Sequence, residues 1–257
     1  MNTRAAQLEA VNRLLDVMDE LREKCPWDRK QTMESLRSNT IEEVYELGDA
    51  ILSGDLQEIK KELGDVLLHL VFYSKIGSET QAFDFGDVAQ AITEKLISRH
   101  PHIYGEVQLE SEEEVAQNWE KLKLAEGNTS VLAGVPQSLP ALVKASRIQE
   151  KVKGVGFDWS HKEEVWQKVE EEIAEFKKEE ALGNAEGMED EFGDVLFSLI
   201  NYARFVSVNP ESALERTNKK FIKRFKYIEE QALGMQKSIS DLTLEEMNGF
   251  WEAAKKI

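Results

Sequence analysis

The stretch KELGDVLLHLVFY, from Lys61 to Tyr73, places two acids inside a segment that is otherwise almost entirely apolar. Beyond Glu62 the apolar side chains point in nearly all directions around a helix, which is typical of a buried helix. Glu62 and Asp65 are three residues apart and therefore share one face of its first turns. Because a buried carboxylate is costly without a proton, a basic partner or a metal, the stretch predicts a buried helix whose acids need a partner.

The pattern around these acids occurs twice in the chain. The offset between corresponding residues is 129 positions in both acidic motifs, and weaker echoes follow with a different offset. The matched stretches are EEVYELGDAI (Glu42–Ile51) with EEIAEFKKEE (Glu171–Glu180), ELGDVLLHLVFYSK (Glu62–Lys75) with EFGDVLFSLINYAR (Glu191–Arg204), and EKLISR with KKFIKR. We infer that one helical module is duplicated.

Helical periodicity dominates the chain, and its five prolines leave long uninterrupted segments. The pattern predicts an all-α protein with helices near 3–24, 33–53, 56–76, 85–99, 111–126, 141–153, 161–182, 185–207, 210–232 and 243–256. Glycines and prolines without a helical stripe mark residues 127–140 as a linker. The predicted organisation is therefore an N-terminal module (1–126), the linker and a C-terminal module (141–257).

The composition excludes several classes of function. The chain has 257 residues, a net charge of −17 and a single cysteine. Such an acidic balance argues against nucleic acid as a partner, and one cysteine cannot form an intrachain disulfide. No apolar run approaches the length of a membrane span, and the N-terminal segment lacks the apolar centre of a signal peptide. We expect a soluble, cytoplasmic protein with no membrane partner.

Five acids recur at identical spacing in both halves, and a divalent cation is the simplest partner for them. No lysine or arginine recurs at fixed spacing among them, and hard oxygen ligands favour Mg²⁺, with Mn²⁺ as a possible substitute. A di-iron site would need Glu-x-x-His pairs, and the sequence contains none. The alternative is that these acids only form solvated helix faces. The acids are Glu42, Glu43, Glu46, Glu62 and Asp65, and Glu171, Glu172, Glu175, Glu191 and Asp194.

Basic pairs at helical spacing are candidates for binding a phosphate chain. Lys95 and Arg99 are four residues apart, as are Lys220 and Arg224, so each pair faces one way. Guanidinium and ammonium groups beside bound metal suit phosphate, although either pair alone could equally form surface salt bridges. Trp251 could stack on a base or close the core of its module.

The two acidic motifs, Glu-Glu-x-x-Glu followed by Glu-x-x-Asp, resemble those of the MazG nucleoside triphosphate pyrophosphohydrolases. CPWDRKQTMESL and SRHPHIYG resemble the N-terminal module of its two-domain members, and VGFDW and NKKFIKRF resemble the C-terminal one. The resemblance implies an all-α bundle built from two protomers and Mg²⁺-dependent hydrolysis of a nucleoside triphosphate to the monophosphate and pyrophosphate. It implies metal ligation by Glu43, Glu46, Glu62 and Asp65, and by Glu172, Glu175, Glu191 and Asp194. It also implies nucleotide contacts from Lys168, Glu171, Lys220, Arg224 and Trp251.

The chemistry of these residues predicts a mechanism. Metal held by the carboxylates would polarise phosphate and water, and Glu171 or Glu42, the spare acid of each pair, would accept the proton of the attacking water. We favour the second module as the main catalyst because Asn201 replaces Phe72 there and could hydrogen-bond a sugar or base. Two alternatives stay open: a non-catalytic regulator that binds nucleotide or metal, and a helical scaffold.

Overall fold

The structure, a computed structural model, describes residues 1–107, 111, 114–115, 118 and 130–256. Its helices are α1 (Arg4–Lys24), α2 (Met33–Ser53), α3 (Leu56–Glu79), α4 (Phe85–Arg99), α5 (Pro101–Tyr104), α6 (Ala141–Lys153), α7 (Lys162–Leu182), α8 (Ala185–Phe205), α9 (Pro210–Gly234) and α10 (Leu244–Ala254). No strand occurs in this described part, so the all-α prediction is confirmed. Most of the predicted helix 111–126 lies outside the described residues.

The chain divides into two compact units, Met1–Leu109 and Glu110–Ile257. Residues 130–140, the described part of the predicted linker, form turns and bends. They are tied to the second unit because the ammonium group of Lys151 donates to the carbonyl oxygens of Val131 (3.1 Å) and Ala133 (3.3 Å). The placement of a linker at 127–140 remains a prediction. None of the helices in the described ranges is both long and apolar enough to cross a bilayer.

An antiparallel helical hairpin forms the centre of the first unit, and its turn is encoded locally. Gly54 ends α2 with φ 74°, a left-handed conformation that glycine adopts without strain. Asp55 then caps α3, its carboxylate accepting from the backbone N–H groups of Gln57 and Glu58. Helix α1 packs against α3, and Met18 of α1 is buried in a cluster with Val71 and Phe72 of α3.

The second unit repeats this hairpin with the same turn chemistry. Gly183 ends α7 at φ 66°, and Asn184 caps α8, each 129 positions after its counterpart. Val165 and Val169 of α7 are almost completely buried, as expected for the inner face of the helix. Helix α6 packs on α8, and α9 packs on α10 around Ile228. The repeated hairpin is the element that positions both acidic motifs.

An ion pair ties α1 to the end of α3 in the first unit. The Arg22 guanidinium donates two hydrogen bonds to the Glu79 carboxylate, Nε to Oε1 at 2.7 Å and Nη2 to Oε2 at 2.6 Å. This hydrogen-bonded pair lowers the pKa of Glu79 and raises that of Arg22. A bidentate guanidinium–carboxylate pair is stronger than an ordinary surface ion pair, although Glu79 is partly open to water.

Replacing Glu79 with Gln is expected to destabilise the first unit by about 1 kcal/mol at neutral pH, a value discounted for solvent screening. The pKa of Glu79 is lower in the folded chain than in the unfolded one, so its stabilisation is complete above the unfolded pKa, about 4.3. That stabilisation is lost as the pH falls through the folded pKa. The protection of α1 and α3 amides against hydrogen exchange should therefore differ between wild type and Glu79→Gln only above this range.

Glu20→Gln is the matched control, because Glu20 pairs with Lys24 on the exposed surface of α1. It should leave hydrogen exchange unchanged at either pH. An equal effect of Glu79→Gln at acidic and neutral pH would contradict the role of the ion pair.

Candidate functional site

Each hairpin brings three glutamates together. One carboxylate oxygen from each of Glu43, Glu46 and Glu62 lies within 4.8 Å of the others. The same holds in the second unit for a cluster formed by Glu172, Glu175 and Glu191. Two acids of each cluster share one face of the first hairpin helix, and the third faces them from the second helix. We call these the first and second acid clusters.

The remaining predicted acids lie beside the clusters, not within them. Asp65 is half-buried and Asp194 is exposed, and neither joins the group of converging oxygens. Glu42 and Glu171 lie exposed one position before the first acid of each cluster. The structure therefore brings together three of the four predicted metal ligands in each half. The roles of Asp65 and Asp194 as ligands, and of Glu42 and Glu171 as bases, remain predictions.

Mutual repulsion and burial make protonation easier at both clusters. The pKa of Glu46 is raised, chiefly by the negative charge of Glu62 and further by desolvation and by Glu43. The pKa of Glu191 is raised chiefly by desolvation, and next by the charge of Glu175. Both shifts mean that an added positive charge would stabilise the ionised form of these carboxylates.

Each cluster has a lysine, but the two lysines come from different positions. Lys61 contacts Glu62 at 2.8 Å, and Lys168 contacts Glu172 at 2.7 Å and Glu171 at 2.8 Å. The repeat places Asp190 opposite Lys61 and Asn39 opposite Lys168. The sequence argument was correct that no basic residue recurs, yet it missed Lys61, whose position directly before Glu62 was the available signal. These contacts raise the pKa of both lysines.

The first cluster retains an unsatisfied oxygen that a cation would complete. Glu62 is 4% exposed, and its Oε2 has no hydrogen-bond partner among the described residues. Leaving a buried carboxylate oxygen unpaired is unfavourable, so this atom indicates a further positive partner. Three converging carboxylates without thiolate or imidazole fit a hard divalent cation such as Mg²⁺. The residues present therefore fit a metal site.

A cavity of about 510 Å³ adjoins the second acid cluster. Its volume is in the range of small-molecule sites, about 300–1,000 Å³. Its lining combines charged residues, among them Lys168, Glu172 and Asp194, with apolar and aromatic side chains that include Val152, Phe157, Trp159 and Phe197. A lining of charged groups and aromatic or apolar side chains is suited to a ligand of the same mixed character.

The first unit places core side chains at the equivalent positions. Phe72 stands at the repeat position of Asn201 and is packed with Met18 and Leu36 in the core. His69 stands at the position of Ser198, and its Nδ1 lies 3.0 Å from the Thr40 hydroxyl. A cavity of about 340 Å³ in this unit lies farther along α3, and its lining includes Leu15, Ser78 and Phe85. Each unit thus has its own acid cluster, and the two units differ in the side chains beside it.

Most of the predicted phosphate-binding residues are not bonded to the acid clusters in the part of the chain that the structure describes. In the second unit, Arg224 stacks over the Trp251 ring at 5.4 Å, and Lys220 is exposed on the same helix. In the first unit, Lys95 and Arg99 lie on α4, which packs on α3. Among the described residues, no ion pair or hydrogen bond joins Lys95, Lys220, Arg224 or Trp251 to the acid clusters. Lys168 is the predicted nucleotide contact that the structure does place at an acid cluster.

Two segments of the chain, residues 31–104 and 161–228, match the MazG nucleotide pyrophosphohydrolase domain. The chain belongs to the MazG family. The matched segments contain α2 and α3 in the first case and α7 and α8 in the second, so each acid cluster lies inside one MazG domain. The expected resemblance and the tandem arrangement are confirmed.

Curated MazG relatives match along nearly their whole length. The chain is 44% identical over 94% of both sequences to "Nucleoside triphosphate pyrophosphohydrolase/pyrophosphatase MazG" of Thermotoga maritima. It is 37% identical to "Nucleoside triphosphate pyrophosphohydrolase" of Escherichia coli K12, over 97% of this chain and 98% of that one. A crystal structure of a mazG-related protein from Thermotoga maritima matches 44% of this chain and 98% of its own, with 27% identity and a TM-score of 0.40.

Replacing Lys61 with Met is expected to lower the stability of the α2–α3 hairpin in metal-free buffer. The change leaves the buried Glu62 carboxylate without its cationic partner, and an unpaired buried charge is unfavourable. Hydrogen exchange of α2 and α3 amides would measure this loss. Lys60→Met is the matched control, because Lys60 is exposed and forms no ion pair with the acids within the described residues. Equal effects of both changes would contradict the role given to Lys61.

Proposed function

We propose that this chain hydrolyses nucleoside triphosphates to the monophosphate and pyrophosphate, with Mg²⁺ as cofactor, mainly at the second acid cluster. The observation that carries the proposal is that Glu172, Glu175 and Glu191 converge beside a cavity large enough for a nucleoside. Membership of the MazG family and the printed names of the two long relatives support the same activity. Such an activity would serve nucleotide-pool housekeeping or stress-related nucleotide control, in the cytoplasm.

The division of labour at the site follows from charge and position. Bound Mg²⁺ would neutralise phosphate oxygens and polarise phosphorus and water. Glu172, Glu175 and Glu191 would hold the ion, with Asp194 adjacent at the cavity rim. Glu171 is exposed beside them and would accept the proton from the attacking water. Lys168 pairs with Glu171 and Glu172, and from this position its ammonium group would contact the triphosphate.

The first acid cluster has the same three glutamates, but core side chains stand at repeat positions whose counterparts, Asn201 and Val165, line the cavity of the second unit. Phe72 and Leu36 occupy those positions as part of the core. Its cluster would therefore bind a divalent cation without accommodating a nucleoside in the way of the second unit. We propose that the first unit is structural or differently specific. Lys95 and Arg99 would then serve its own ligand.

We further propose that the active form is a homodimer. Among the described residues, Lys220, Arg224 and Trp251 form no ion pair or hydrogen bond with the acid clusters, so a second copy could supply this phosphate-binding set. Large apolar side chains are also exposed on the outer face of both hairpins. Leu63 is 52% exposed and Phe192, its counterpart in the repeat, is 50% exposed. Exposed apolar side chains of this kind would be covered by the association of two chains.

Glu191→Gln is expected to lower Mg²⁺-dependent pyrophosphate release by at least about a hundredfold, because a ligand of the metal is lost from the working site. Glu62→Gln changes the equivalent residue in the first cluster and should retain most of the activity. Pyrophosphate release from a panel of nucleoside triphosphates would be measured for both variants and the wild type. Calorimetric titration with Mg²⁺ or Mn²⁺ would show whether each variant loses one bound ion.

Greater loss with Glu62→Gln than with Glu191→Gln would reverse the assignment of the main site. Orthophosphate as the only product would replace the proposed reaction with a simple phosphatase reaction. A wild type that binds no divalent ion would exclude the metal site altogether.

The double change Leu63→Asp and Phe192→Asp is expected to convert a dimer into a monomer, because two buried charges would be placed in the proposed interface. Sedimentation equilibrium measures this directly. Leu182→Asp alters another exposed leucine, at the end of α7, and serves as the control. A wild-type chain that is monomeric at every concentration tested would refute the dimer.

A further inference from the structure

Two neutral amides line the cavity of the second unit. The structure shows which atom of each amide, the nitrogen or the oxygen, is already hydrogen-bonded within the protein. Asn201 comes from α8 and Gln149 from α6. An amide can donate from its nitrogen or accept at its oxygen, so its orientation decides what it can recognise. Each amide is bonded to a group that can only donate or only accept a hydrogen bond, and this determines the orientation of both amides.

Arg204 fixes the orientation of Asn201. Its guanidinium donates to Asn201 Oδ1 from Nε at 3.2 Å and from Nη2 at 2.7 Å. A guanidinium has no acceptor, so the amide oxygen must be the atom that faces it. The Nδ2 group of Asn201 is thereby left as a donor, and it has no hydrogen-bond partner within the described ranges. Asn201 therefore offers N–H to a ligand in the cavity.

The carbonyl group of Phe197 fixes the orientation of Gln149. The Nε2 group of Gln149 donates to this carbonyl at 2.8 Å. Gln149 is 4% exposed, and its Oε1 is buried without a hydrogen-bond partner in the part of the chain that the structure describes. A buried acceptor without a donor is unfavourable, so this oxygen indicates an N–H group that a ligand would bring.

The two amides meet the same turn of α8. Asn201 follows Phe197 by four residues in an uninterrupted helix, so its backbone N–H bonds to the carbonyl that also accepts from Gln149. The side chains of Gln149 and Asn201 thus lie near the same carbonyl group and line the same cavity, one with a side-chain acceptor to offer and the other with a side-chain donor. Such a pair complements a ligand edge that carries a carbonyl oxygen next to an N–H.

We infer that the cavity selects nucleoside triphosphates whose base carries a lactam edge, –NH–C(=O)–, as in uracil, thymine, guanine and hypoxanthine. Asn201 Nδ2 donates to the carbonyl oxygen of the base, and Gln149 Oε1 accepts the adjacent ring N–H. Adenine and cytosine present an amino group next to a ring acceptor, which reverses both polarities. The inference rests on the proposed function and adds the base class to it.

Arg204 and Asp158 act as positioning residues for this recognition. Besides holding Asn201, Arg204 forms a bidentate ion pair with Asp158, with Nη1 to Oδ2 at 2.8 Å. Asp158 belongs to the segment between α6 and α7 that forms one wall of the cavity. In the first unit Lys75 takes the place of Arg204 and pairs instead with Asp19 of α1 at 2.7 Å. The basic residue at this repeat position therefore orients a cavity-lining amide only in the second unit.

The test compares two nearly isosteric pairs of substrates, UTP with CTP and ITP with ATP. The ratio of kcat/KM for the lactam substrate to that for its amino partner should be about tenfold or more in the wild type, in at least one pair. Asn201→Asp presents only acceptors while keeping the contact with Arg204, so it should lower that ratio by about tenfold or more. A wild type in which neither ratio, UTP to CTP or ITP to ATP, reaches about tenfold would overturn the inference. So would an Asn201→Asp variant that keeps the wild-type ratio.

Arg204→Gln should lower the same ratio by raising KM for the lactam substrate, because the Asn201 amide can then rotate and exchange its nitrogen and oxygen. The value of kcat for that substrate should stay within about twofold of the wild type. Lys75→Gln makes the equivalent change in the first unit and should leave the ratio unchanged. A purely structural role of Arg204 would affect all four substrates equally, and that result would refute its positioning role.

Calorimetric binding of UMP and CMP provides a second measurement that does not depend on turnover. Wild type should bind UMP about tenfold more tightly than CMP, or IMP about tenfold more tightly than AMP, and Asn201→Asp should remove that difference. If the wild type releases pyrophosphate from all four substrates at equal rates, only the base selection fails. If it releases none from any of them, the proposed function itself fails.

Discussion

The cost of burying negative charge is the constraint on which both sites depend. Glu62 and Glu172 are each less than a tenth exposed, and each lies beside two further glutamates. An apolar hairpin interior cannot hold such anions without positive charge. One lysine per cluster supplies part of that charge, while Glu62 Oε2 has no hydrogen-bond partner among the described residues. The fold therefore holds an unfavourable arrangement that a divalent cation would relieve.

The duplication shows how one scaffold supports two different environments. Both hairpins have the same glycine turn, the same helix-capping position and the same three converging acids. They differ in the wall beside the acids, where Phe72 contributes to a packed core and Asn201 lines an open cavity. A filled space stabilises its unit by apolar burial, whereas an open one gives up that stabilisation in favour of ligand binding. Function diverges here through the side chains that fill one position.

Much of the fold and the acid positions could be predicted because they depend on local pattern. The helices follow from periodicity, and the predicted boundaries of α2, α6 and α7 differ from the structure by at most one residue. The lysine partners could not be predicted in the same way. Lys61 neutralises one cluster from the second hairpin helix and Lys168 neutralises the other from the first, so no common spacing reveals them. The cavity was equally hidden, because Gln149, Asp158 and Asn201 are far apart in the chain.

The sequence by itself determined the helical class, the duplication, the family and which acids share a helix face, since these depend on spacing along a regular helix. Only the tertiary structure decided which three acids converge, where Asp65 and Asp194 lie relative to them, and which half has open space beside its cluster. Those features depend on how two helices cross and on which side chains fill the gap between them. The orientation of Asn201 belongs to the same group, because it is set by Arg204 and its ion pair with Asp158, a residue 46 positions away in the chain.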